Sequence, residues 1–485
     1  MDYAEFSELS QIVHENMKGY FKTTPLIRYY SDSRPGFFAT KRYESELLRA
    51  GDSQNRRNEY FEVDLKDFAL IVSVAGENAL LISETGNGKT SFVKGFLGSL
   101  FGNDYASIQV DYTFSPDSFR DINFGKMKSG STLADAVEPG RALTAPGLLV
   151  DEFNRAPPQL LNLMQNFFEN NTVMFEGARE ITPGVAIADG NEVGPSDKNA
   201  RRYQIKFATA NVGSEYSGTF KFDKAALDRF PVVIDLDLFG NTRADRNMMN
   251  LNGGFVPKPV DDATAKRARA LLFKLNEKVR SIEFETDLSE FLNFLGEMNN
   301  CYKAPEGTKA KIEGFSPETT CTGCVADAIN NKICGNVYAP SERTLLNLKT
   351  MIKAFAAFRL SKVPGGPSRA TIKDLMYVAP FVLNGKLNIN PHWVGKYGHS
   401  STAYATEQAL NTIYDKWSNG IREIGSIQQK IIDGKELTAD DRSDLFNFYL
   451  KSPWFGDKEI MQKIFFETGM DAAKKKTTGA SKATN

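Results

Sequence analysis

The feature that most constrains this chain is a glycine-rich stretch, S-E-T-G-N-G-K-T, at Ser83–Thr90. The apolar run Ala79–Ile82 leads into it. Apolar residues at helical spacing follow it: Phe92, Val93, Phe96, Leu97 and Leu100. Strand, glycine-rich turn and helix, in this order, are the context that a phosphate-binding loop requires. The stretch therefore predicts such a loop between a strand and a helix.

The residue types in the loop suit an anion and a metal ion. Backbone N–H groups at a helix N-terminus point at the anion, and the helix dipole favours its negative charge. Gly86 and Gly88 let that backbone approach phosphate oxygens, where a Cβ would obstruct. We expect Lys89 to reach the β- and γ-phosphates of ATP, and the Thr90 hydroxyl to ligate Mg²⁺. The predicted nucleotide-binding residues are Glu84, Thr85, Gly86, Asn87, Gly88, Lys89, Thr90 and Ser91.

Ser83 departs from the usual pattern G-x-x-x-x-G-K-[ST], in which a glycine opens the loop. That glycine eases the turn off the strand, so Ser83 predicts a loop that is slightly strained or anchored differently. A chance glycine-rich turn on a strand–helix unit is the alternative interpretation of the whole stretch.

Composition describes an ordinary soluble protein. The chain has 485 residues, of which 41% are hydrophobic and 25% charged, and its net charge is −1. This length suggests about three domains, and the charge balance does not demand a polyanionic partner. No apolar run reaches the roughly 18 residues of a membrane span. The acidic N-terminus, Met1–Glu5, lacks the order of a secretion signal, so we expect a cytoplasmic protein.

A second block, G-L-L-V-D-E-F-N-R-A-P-P, begins at Gly147. Its apolar run Leu148–Val150 predicts a buried parallel strand that ends in two carboxylates. Asp151 is then placed to hold Mg²⁺, and Glu152 to polarise an attacking water. Adjacent acids leaving a buried strand cost free energy unless a metal ion or solvent receives them. The alternative is a strand that simply ends in charge at the surface.

Further segments complete an alternating pattern of strands and helices. Strands are predicted at Ser107–Tyr112, at Tyr203–Asn211 and at Pro231–Leu236, with a hairpin over Thr172–Thr182 and a polar loop over Asp189–Arg202. Helices are predicted over Phe6–Met17, from Phe61, from Pro157, over Ala263–Ile282 and Leu288–Asn299, from Ser341 and Ala370, and over Gln408–Ile432 and Asp440–Phe466. Five strands alternating with helices predict a parallel, doubly wound sheet.

Four blocks together resemble the MoxR family of AAA+ ATPases, in the helix-2-insert clade: S-E-T-G-N-G-K-T, D-E-F-N-R-A-P-P-Q, A-T-A-N and A-L-D-R-F. The resemblance runs from about Phe61 to Leu387, and D-E-x-N-R-A-P is its most specific part. It implies an α/β fold, namely a P-loop AAA+ parallel sheet with helices on both faces and a smaller all-helical lid. A helical C-terminal extension follows where the resemblance stops.

The resemblance also implies residue roles. Asn211 matches sensor 1, which orients a water near the γ-phosphate. Arg229 matches the arginine finger that reaches a neighbour's ATP, although a surface ion pair with Asp228 is the alternative. Arg343 matches sensor 2. Two segments match family features: Asp121–Ala136 covers the helix-2 insert, and Thr172 to the loop before Tyr203 covers the pre-sensor hairpin.

The predicted domain organisation follows these blocks. It comprises an N-terminal extension (1–60), a large ATPase domain (61–255), a helical lid (256–387) with a cysteine-containing insertion (301–336), a helical extension (388–470) and a disordered tail (471–485). All cysteines lie in that insertion: Cys301, Cys321, Cys324 and Cys334. Their clustering and one C-x₂-C spacing suggest a structural four-thiolate Zn²⁺ site. Buried free thiols and a disulfide are the alternatives.

These observations predict a Mg²⁺-ATP-dependent ATPase of MoxR type. By resemblance it acts as a ring, most often a hexamer, that remodels a protein partner as a chaperone does. Relatives often work with partners that carry a von Willebrand A domain, and such a partner would here be a separate chain. The first alternative is a nucleic-acid-coupled motor like McrB, which the near-neutral charge disfavours. The second is a nucleotide-binding scaffold with little turnover.

Overall fold

The architecture was analysed in a computed structural model of the whole chain. The structure describes residues 3–20, 25–30, 60–84, 86–111, 119–122, 128, 137–156, 167–168, 171–175, 179–211, 227, 229–238, 243, 245–247, 255–257, 259–297, 340–387, 389, 394–395, 402–432 and 435–451. The predicted helix start at Pro157, the cysteine insertion and the tail from 471 lie outside these residues.

The strands are β1 (Ile27–Tyr30), β2 (Tyr60–Val63), β3 (Ala79–Ser83), β4 (Tyr105–Gln109), β5 (Arg120–Ile122), β6 (Val137–Pro139), β7 (Gly147–Asp151), β8 (Val173–Phe175), β9 (Arg179–Ile181), β10 (Val185–Ala188), β11 (Asn191–Glu192), β12 (Arg201–Tyr203), β13 (Ile205–Asn211) and β14 (Val232–Asp235). The helices are α1 (Ala4–Asn16), α2 (Leu65–Ala75), α3 (Lys89–Phe101), α4 (Arg141–Thr144), α5 (Asp262–Lys278), α6 (Thr286–Glu297), α7 (Glu342–Lys362), α8 (Ile372–Val382), α9 (Thr402–Ile432) and α10 (Ala439–Lys451).

The chain forms two compact units: Met1–Glu285 with Leu346–Lys386, and Thr286–Leu345 with Leu387–Asn485. The first unit is built on a five-stranded sheet in the order β14-β3-β13-β7-β4. All its neighbouring strands pair in parallel. The predicted fold class, an α/β P-loop AAA+ sheet, is therefore confirmed. Parallel pairing brings the carboxyl ends of β3, β7 and β13 to one edge of the sheet.

Both faces of this sheet are covered. On one face, Phe207 of β13 packs edge-on against Phe96 of α3. Their ring centroids lie 5.4 Å apart, within the range of about 4.5–7 Å that is typical of aromatic pairs. Ala208, the next residue, faces the opposite way because strand side chains alternate. It joins a buried aromatic cluster on that second face: Phe119, Phe153, Phe167, Phe168 and Phe230. Strands β3, β7 and β13 are accordingly buried over nearly their whole length, as central parallel strands are.

The N-terminal extension is part of the first unit. Helix α1 buries Phe6, Leu9 and Val13 and packs on α2, α3 and α5. Strand β1 pairs antiparallel with β2. Helix α5, which the sequence predicted within the lid, packs on α3 in this same unit. The predicted boundaries of the domains remain predictions.

The polar stretch Asp189–Arg202, predicted as a loop, instead contains two strands. Strands β10, β11 and β12 form a small antiparallel sheet. Asp189 and Gly190 join β10 to β11, with φ angles of 50° and 73°. Two central residues with positive φ define the tight hairpin turn that Asp-Gly favours. The loop prediction was wrong because it weighed polarity above this dipeptide.

Other local predictions agree with the structure. The hairpin expected over Thr172–Thr182 is present as antiparallel β8 and β9. Strands β5 and β6 pair antiparallel; β5 contains the first two residues of the predicted helix-2 insert, most of which lies outside the described residues. Helix α8 begins with a reciprocal cap between Thr371 and Asp374. Among the helices that the structure describes, none is both long and apolar enough to cross a membrane.

The described part of the second unit is helical. Phe291 of α6 packs against Tyr414 and Trp417 of α9, with ring centroids 5.6 Å and 5.2 Å apart. Helices α9 and α10 are joined by the ion pair of Lys430 with Asp441 at 2.8 Å. The helices predicted at both ends of this unit's sequence are confirmed over the described residues. Trp417 therefore serves helix packing.

Candidate active site

The predicted phosphate-binding loop lies between β3 and α3. Gly88 precedes the first residue of α3 with a φ of 70°, and Gly86 has a φ of 83°. Both angles lie in the left-handed region, which glycine adopts without a steric penalty. A 13-residue helix thus begins where the loop ends, and the N–H groups at its N-terminus can receive an anion. Thr85 lies outside the described residues.

Lys89 is buried and held by the start of the loop. Its Nζ donates to the Ser83 carbonyl oxygen at 3.0 Å, to Ser83 Oγ at 2.8 Å and to the Glu84 carbonyl oxygen at 2.9 Å. The Ser83 hydroxyl in turn donates to the Glu84 carbonyl at 2.9 Å. Ser83 is not among the described residues with positive φ. Of the two expectations for Ser83, the structure therefore fits different anchoring and not strain.

Asp151 lies beside Thr90, as the sequence predicted. The Thr90 hydroxyl donates to Asp151 Oδ1 at 2.7 Å. Thr209 of β13 donates its hydroxyl to the same oxygen. Sequence reasoning missed Thr209, although a buried threonine in the block A-T-A-N was a usable signal. These residues come from separate parts of the chain, and the parallel pairing of β13 with β7 brings two of them together.

Glu152 has an unusual backbone. Its φ of 56° and ψ of 40° are left-handed, which is rare for a residue other than glycine. Its N–H donates to Thr209 Oγ1 at 3.1 Å, and its carboxylate pairs with Arg155 at 3.1 Å. Such strained residues concentrate at functional sites, where the surroundings determine their conformation. Glu152 therefore follows Asp151 at the carboxyl edge of the sheet but turns away from the strand direction.

Asn211 ends β13 directly opposite Ser83 in the register of β3. Its carbonyl oxygen accepts from Asn154 Nδ2 at 2.8 Å. Asn154 is almost fully buried in the turn after Glu152. The predicted sensor residue thus lies next to the loop and is tied to the acidic block. The sequence predicted the position of Asn211 but not its tie to Asn154.

Asp237 contacts the outer flank of the loop. Its Oδ2 accepts from the Glu84 N–H at 2.8 Å, and its Oδ1 accepts from Asn87 Nδ2 at 2.7 Å. It belongs to a short 3₁₀ helix, Leu236–Leu238, after β14. Sequence reasoning missed this residue because it is far from the loop along the chain and belongs to no quoted block.

The oxygen ligands at this edge fit a magnesium ion. Mg²⁺ prefers hard oxygen donors and is commonly bound through one or two carboxylates or hydroxyls plus substrate phosphates. The Thr90 hydroxyl and the Asp151 carboxylate provide two such oxygens, 2.7 Å apart. Thr90 lies in the first turn of α3 and Asp151 faces it. A phosphate would bind at the same helix N-terminus.

Arg229 lies at the other edge of the sheet. It precedes β14, and the N–H of Val232 donates to the Asn78 carbonyl oxygen just before β3. Arg229 is therefore at the amino ends of β14 and β3, whereas the loop leaves the carboxyl end of β3. Strand β14 alone spans about 13 Å. Within one chain, the sheet thus separates Arg229 from the loop.

Two further predicted sites belong to other parts of the chain. Arg343 is exposed in the first turn of α7, in the second unit. Ser341 caps that helix as expected, accepting from the Thr344 N–H at 3.2 Å. The four cysteines of the predicted Zn²⁺ site lie outside the described residues, so that site stays a prediction.

One His/Asp/Asp group occurs in the described part of the chain: His14, Asp64 and Asp67. His14 Nε2 lies 3.2 Å from Asp67 Oδ1. Asp64 caps α2 by accepting from the Asp67 N–H, and Lys66 pairs with it at 3.3 Å. These contacts join α1 to α2, which gives the group a structural role.

Comparisons with known proteins add little at the sequence level. No protein-family model and no curated protein matched the chain. Among solved structures, it is similar to a provisionally named ATPase from Cytophaga hutchinsonii at 17% identity, over 85% of this chain and 96% of that one, with a TM-score of 0.48. It is also similar to a full-length MCM homologue from Methanopyrus kandleri at 12% identity, over 80% and 63% of the two chains, with a TM-score of 0.37.

Both TM-scores are below 0.5, so the assignment of the fold rests on features of the chain itself. These features are the strand order, the glycine-rich loop between β3 and α3, and the acids at the end of β7. They define a P-loop α/β protein of the AAA+ class.

Proposed function

We propose that this chain is a Mg²⁺-ATP-dependent ATPase of the MoxR type. The observation that carries the proposal is the convergence of Lys89, Thr90 and Asp151 at one edge of the sheet. Thr90 donates to Asp151, and Lys89 is held at the mouth of the same loop. A cation, a hydroxyl and a carboxylate at a helix N-terminus are the set that a nucleoside triphosphate with its metal ion requires.

Each residue then has a defined task. The N–H groups of the loop and the Lys89 ammonium bind the phosphates, while Thr90 and Asp151 hold the metal ion. When bound, Mg²⁺ neutralises charge on the phosphate oxygens. Glu152 orients a water and accepts its proton as that water attacks the γ-phosphate. Asn211, opposite Ser83 in the sheet, orients the same water.

The distance between Arg229 and the loop supports a site shared between chains. An arginine that stabilises the charge developing on a transferred phosphoryl group contributes about 10³–10⁵ in rate when a neighbour supplies it. Because Arg229 lies at the amino edge of the sheet, it would act on ATP bound to another copy. A closed ring satisfies this arrangement for every subunit, and a hexamer is what the resemblance implies.

The work done by hydrolysis follows from the same resemblance. Motion of the helical lid, including Arg343, against the large domain would remodel a protein partner. A separate chain with a von Willebrand A domain is the partner type that MoxR relatives use. We propose a cytoplasmic setting, and turnover in this proposal requires no nucleic acid.

The experiment that tests this function is ATP turnover per subunit across a range of protein concentrations, with Mg²⁺ and without any partner. We expect turnover per subunit to rise with concentration, and Arg229→Ala to abolish the rise. Turnover that requires DNA or RNA and fades with salt would favour a nucleic-acid motor instead. Tight ATP binding without turnover at any concentration would favour a scaffold.

A further inference from the structure

The phosphate-binding loop is held from two sides by side chains of very different origin. On its inner side, Lys89 donates to Ser83 and Glu84. On its outer side, the two carboxylate oxygens of Asp237 each accept one hydrogen bond, from the Glu84 N–H and from the Asn87 amide. The acceptor in both outer hydrogen bonds is the Asp237 carboxylate, and a charged acceptor forms stronger hydrogen bonds than a neutral one does.

Asp237 reaches the loop from a rigid element. Strand β14 pairs with β3 so that Asp235 lies opposite Ile82, one residue before the loop begins. The chain then turns into the 3₁₀ helix Leu236–Leu238. The Asp237 N–H donates to Asp235 Oδ1 at 3.0 Å, which fixes this turn. The carboxylate is therefore aimed at the loop by the strand pairing and by a local cap.

The two contacts constrain different parts of the loop. The bond to Glu84 fixes the backbone just after β3, and the bond to Asn87 fixes a residue just before Gly88. Between these points lies Gly86, whose backbone is in the left-handed region with a φ of 83°. Glycine loses more conformational freedom on ordering than any other residue. The two hydrogen bonds on either side of Gly86 therefore restrict the loop before nucleotide binds, so that binding costs less conformational entropy.

We propose that Asp237 is a positioning residue of the phosphate-binding loop, which holds the loop in its binding conformation before nucleotide arrives. This inference rests on the proposed function, because the ligand of the loop is taken to be Mg²⁺-ATP. Asp237 acts through Glu84 and Asn87 and not by contact with the reacting atoms. Its loss should thus weaken nucleotide binding and leave the chemical step unchanged.

The test compares Asp237→Ala with Asp237→Asn in the full-length protein. Asp237→Ala should raise the Kd for Mg²⁺-ATP about tenfold, as expected for loss of a charge-assisted contact. Its turnover at saturating ATP should stay within about twofold of wild type. Asp237→Asn should bind within about threefold of wild type, because the new amide can accept from Glu84 while the Asn87 amide flips to present its oxygen.

Asp197→Ala is the matched control. Asp197 is also exposed and accepts a backbone N–H, from Asn199 at 2.8 Å, but it lies in the segment between β11 and β12. It should leave the Kd unchanged. Asn87→Ala should raise the Kd about threefold in wild type but add little to Asp237→Ala, because coupled residues are not additive.

Amide hydrogen exchange over residues 84–91 without nucleotide gives a second readout. Exchange there should be faster in Asp237→Ala than in wild type or in Asp197→Ala. Binding and exchange equal to wild type in Asp237→Ala would overturn the inference while the proposed function stands. A wild-type chain that binds no Mg²⁺-ATP would overturn the proposed function, and the inference with it.

Discussion

The two edges of the central sheet each hold a buried lysine, and the two lysines have different surroundings. At the carboxyl edge, Lys89 donates to three oxygens of Ser83 and Glu84. At the amino edge, Lys206 donates to Asn171 and lies 4.6 Å from the centroid of the Phe167 ring. Lys89 is thus the first residue of a helix and is held by the phosphate-binding loop, whereas Lys206 lies against the Phe167 ring of an aromatic cluster.

The neighbouring polar groups differ in the same way. At the amino edge, Asn78 donates to the Phe168 carbonyl and accepts from the Lys206 N–H. Gln204 donates to the carbonyls of Ala142 and Ala145. These side chains satisfy backbone groups, which is a structural task. The carboxyl edge instead collects paired acids and a strained residue, Glu152. Polar burial alone therefore does not identify a functional site, and backbone strain beside paired acids is the more informative combination.

The sharpest test of this difference exchanges a carboxylate for an amide at each edge. Glu152→Gln should lower ATP turnover about 10²–10⁴-fold, because it removes the group that accepts the proton from water. ATP binding should persist, since Glu152 contacts no residue of the loop among the hydrogen bonds and ion pairs of the described chain. Steady-state turnover and equilibrium binding measure the two effects.

Glu77→Gln is the matched control at the amino edge. Glu77 accepts from the Thr350 hydroxyl, and burial raises its pKa to about 7. The substitution should leave turnover within about twofold of wild type. Equal losses in both variants would contradict the distinction between the two edges.

The second prediction concerns the stability of the amino edge. Burial lowers the pKa of Lys206 to about 7, whereas an unfolded lysine keeps its proton up to about pH 10.4. Between these values the unfolded chain binds one more proton, so the free energy of unfolding rises with pH. Relative to Lys206→Met, wild type should gain up to about 1.4 kcal/mol per pH unit between pH 7 and pH 10.

Urea unfolding at several pH values measures this difference. Lys266→Met, at an exposed position on α5, controls for the loss of a positive charge. If the difference in the free energy of unfolding between wild type and Lys206→Met stays constant with pH, burial does not lower the pKa of Lys206.

Much of the carboxyl edge could be predicted from the sequence because its residues occur in short blocks with fixed spacing. Each block stands at the end of a predicted strand: Ser83–Thr90, Asp151 and Asn211. Parallel strands bring such ends together at one edge of the sheet. The contact of Thr90 with Asp151 follows from that rule. The alternation of strands and helices likewise gave the parallel sheet.

Residues that act through long-range pairing could not be predicted in this way. Asp237 reaches the loop only because β14 lies beside β3 in the sheet, and nothing in a single sequence specifies that order. The tie between Asn154 and Asn211 depends on the turn that Glu152 makes with its positive φ. The hairpin at Asp189 and Gly190 could have been predicted from the sequence, because Asp-Gly is a dipeptide typical of tight hairpin turns.

The smallest expected effect sharpens the account of Lys89. Ser83→Ala removes one of the oxygens that accept a hydrogen bond from the Lys89 ammonium. The Kd for Mg²⁺-ATP should therefore rise about fivefold, in line with about 1 kcal/mol for one hydrogen bond. Ser83→Gly restores the usual motif but removes the same hydroxyl, and it should weaken binding as well. Ser99→Ala, a buried serine on α3 that donates to the Gly95 carbonyl, should not. Tighter binding by Ser83→Gly would show that the hydroxyl has no positioning role.

The most direct test of the shared site is to mix two variants that are each inactive. Glu152→Gln keeps Arg229, and Arg229→Ala keeps the loop with Glu152. In a ring, an Arg229→Ala subunit beside a Glu152→Gln subunit has one complete site at their junction. The account predicts that an equal mixture regains about one quarter of wild-type turnover, the chance of that order at a random junction. A mixture of folded, ATP-binding chains that stays inactive would contradict it.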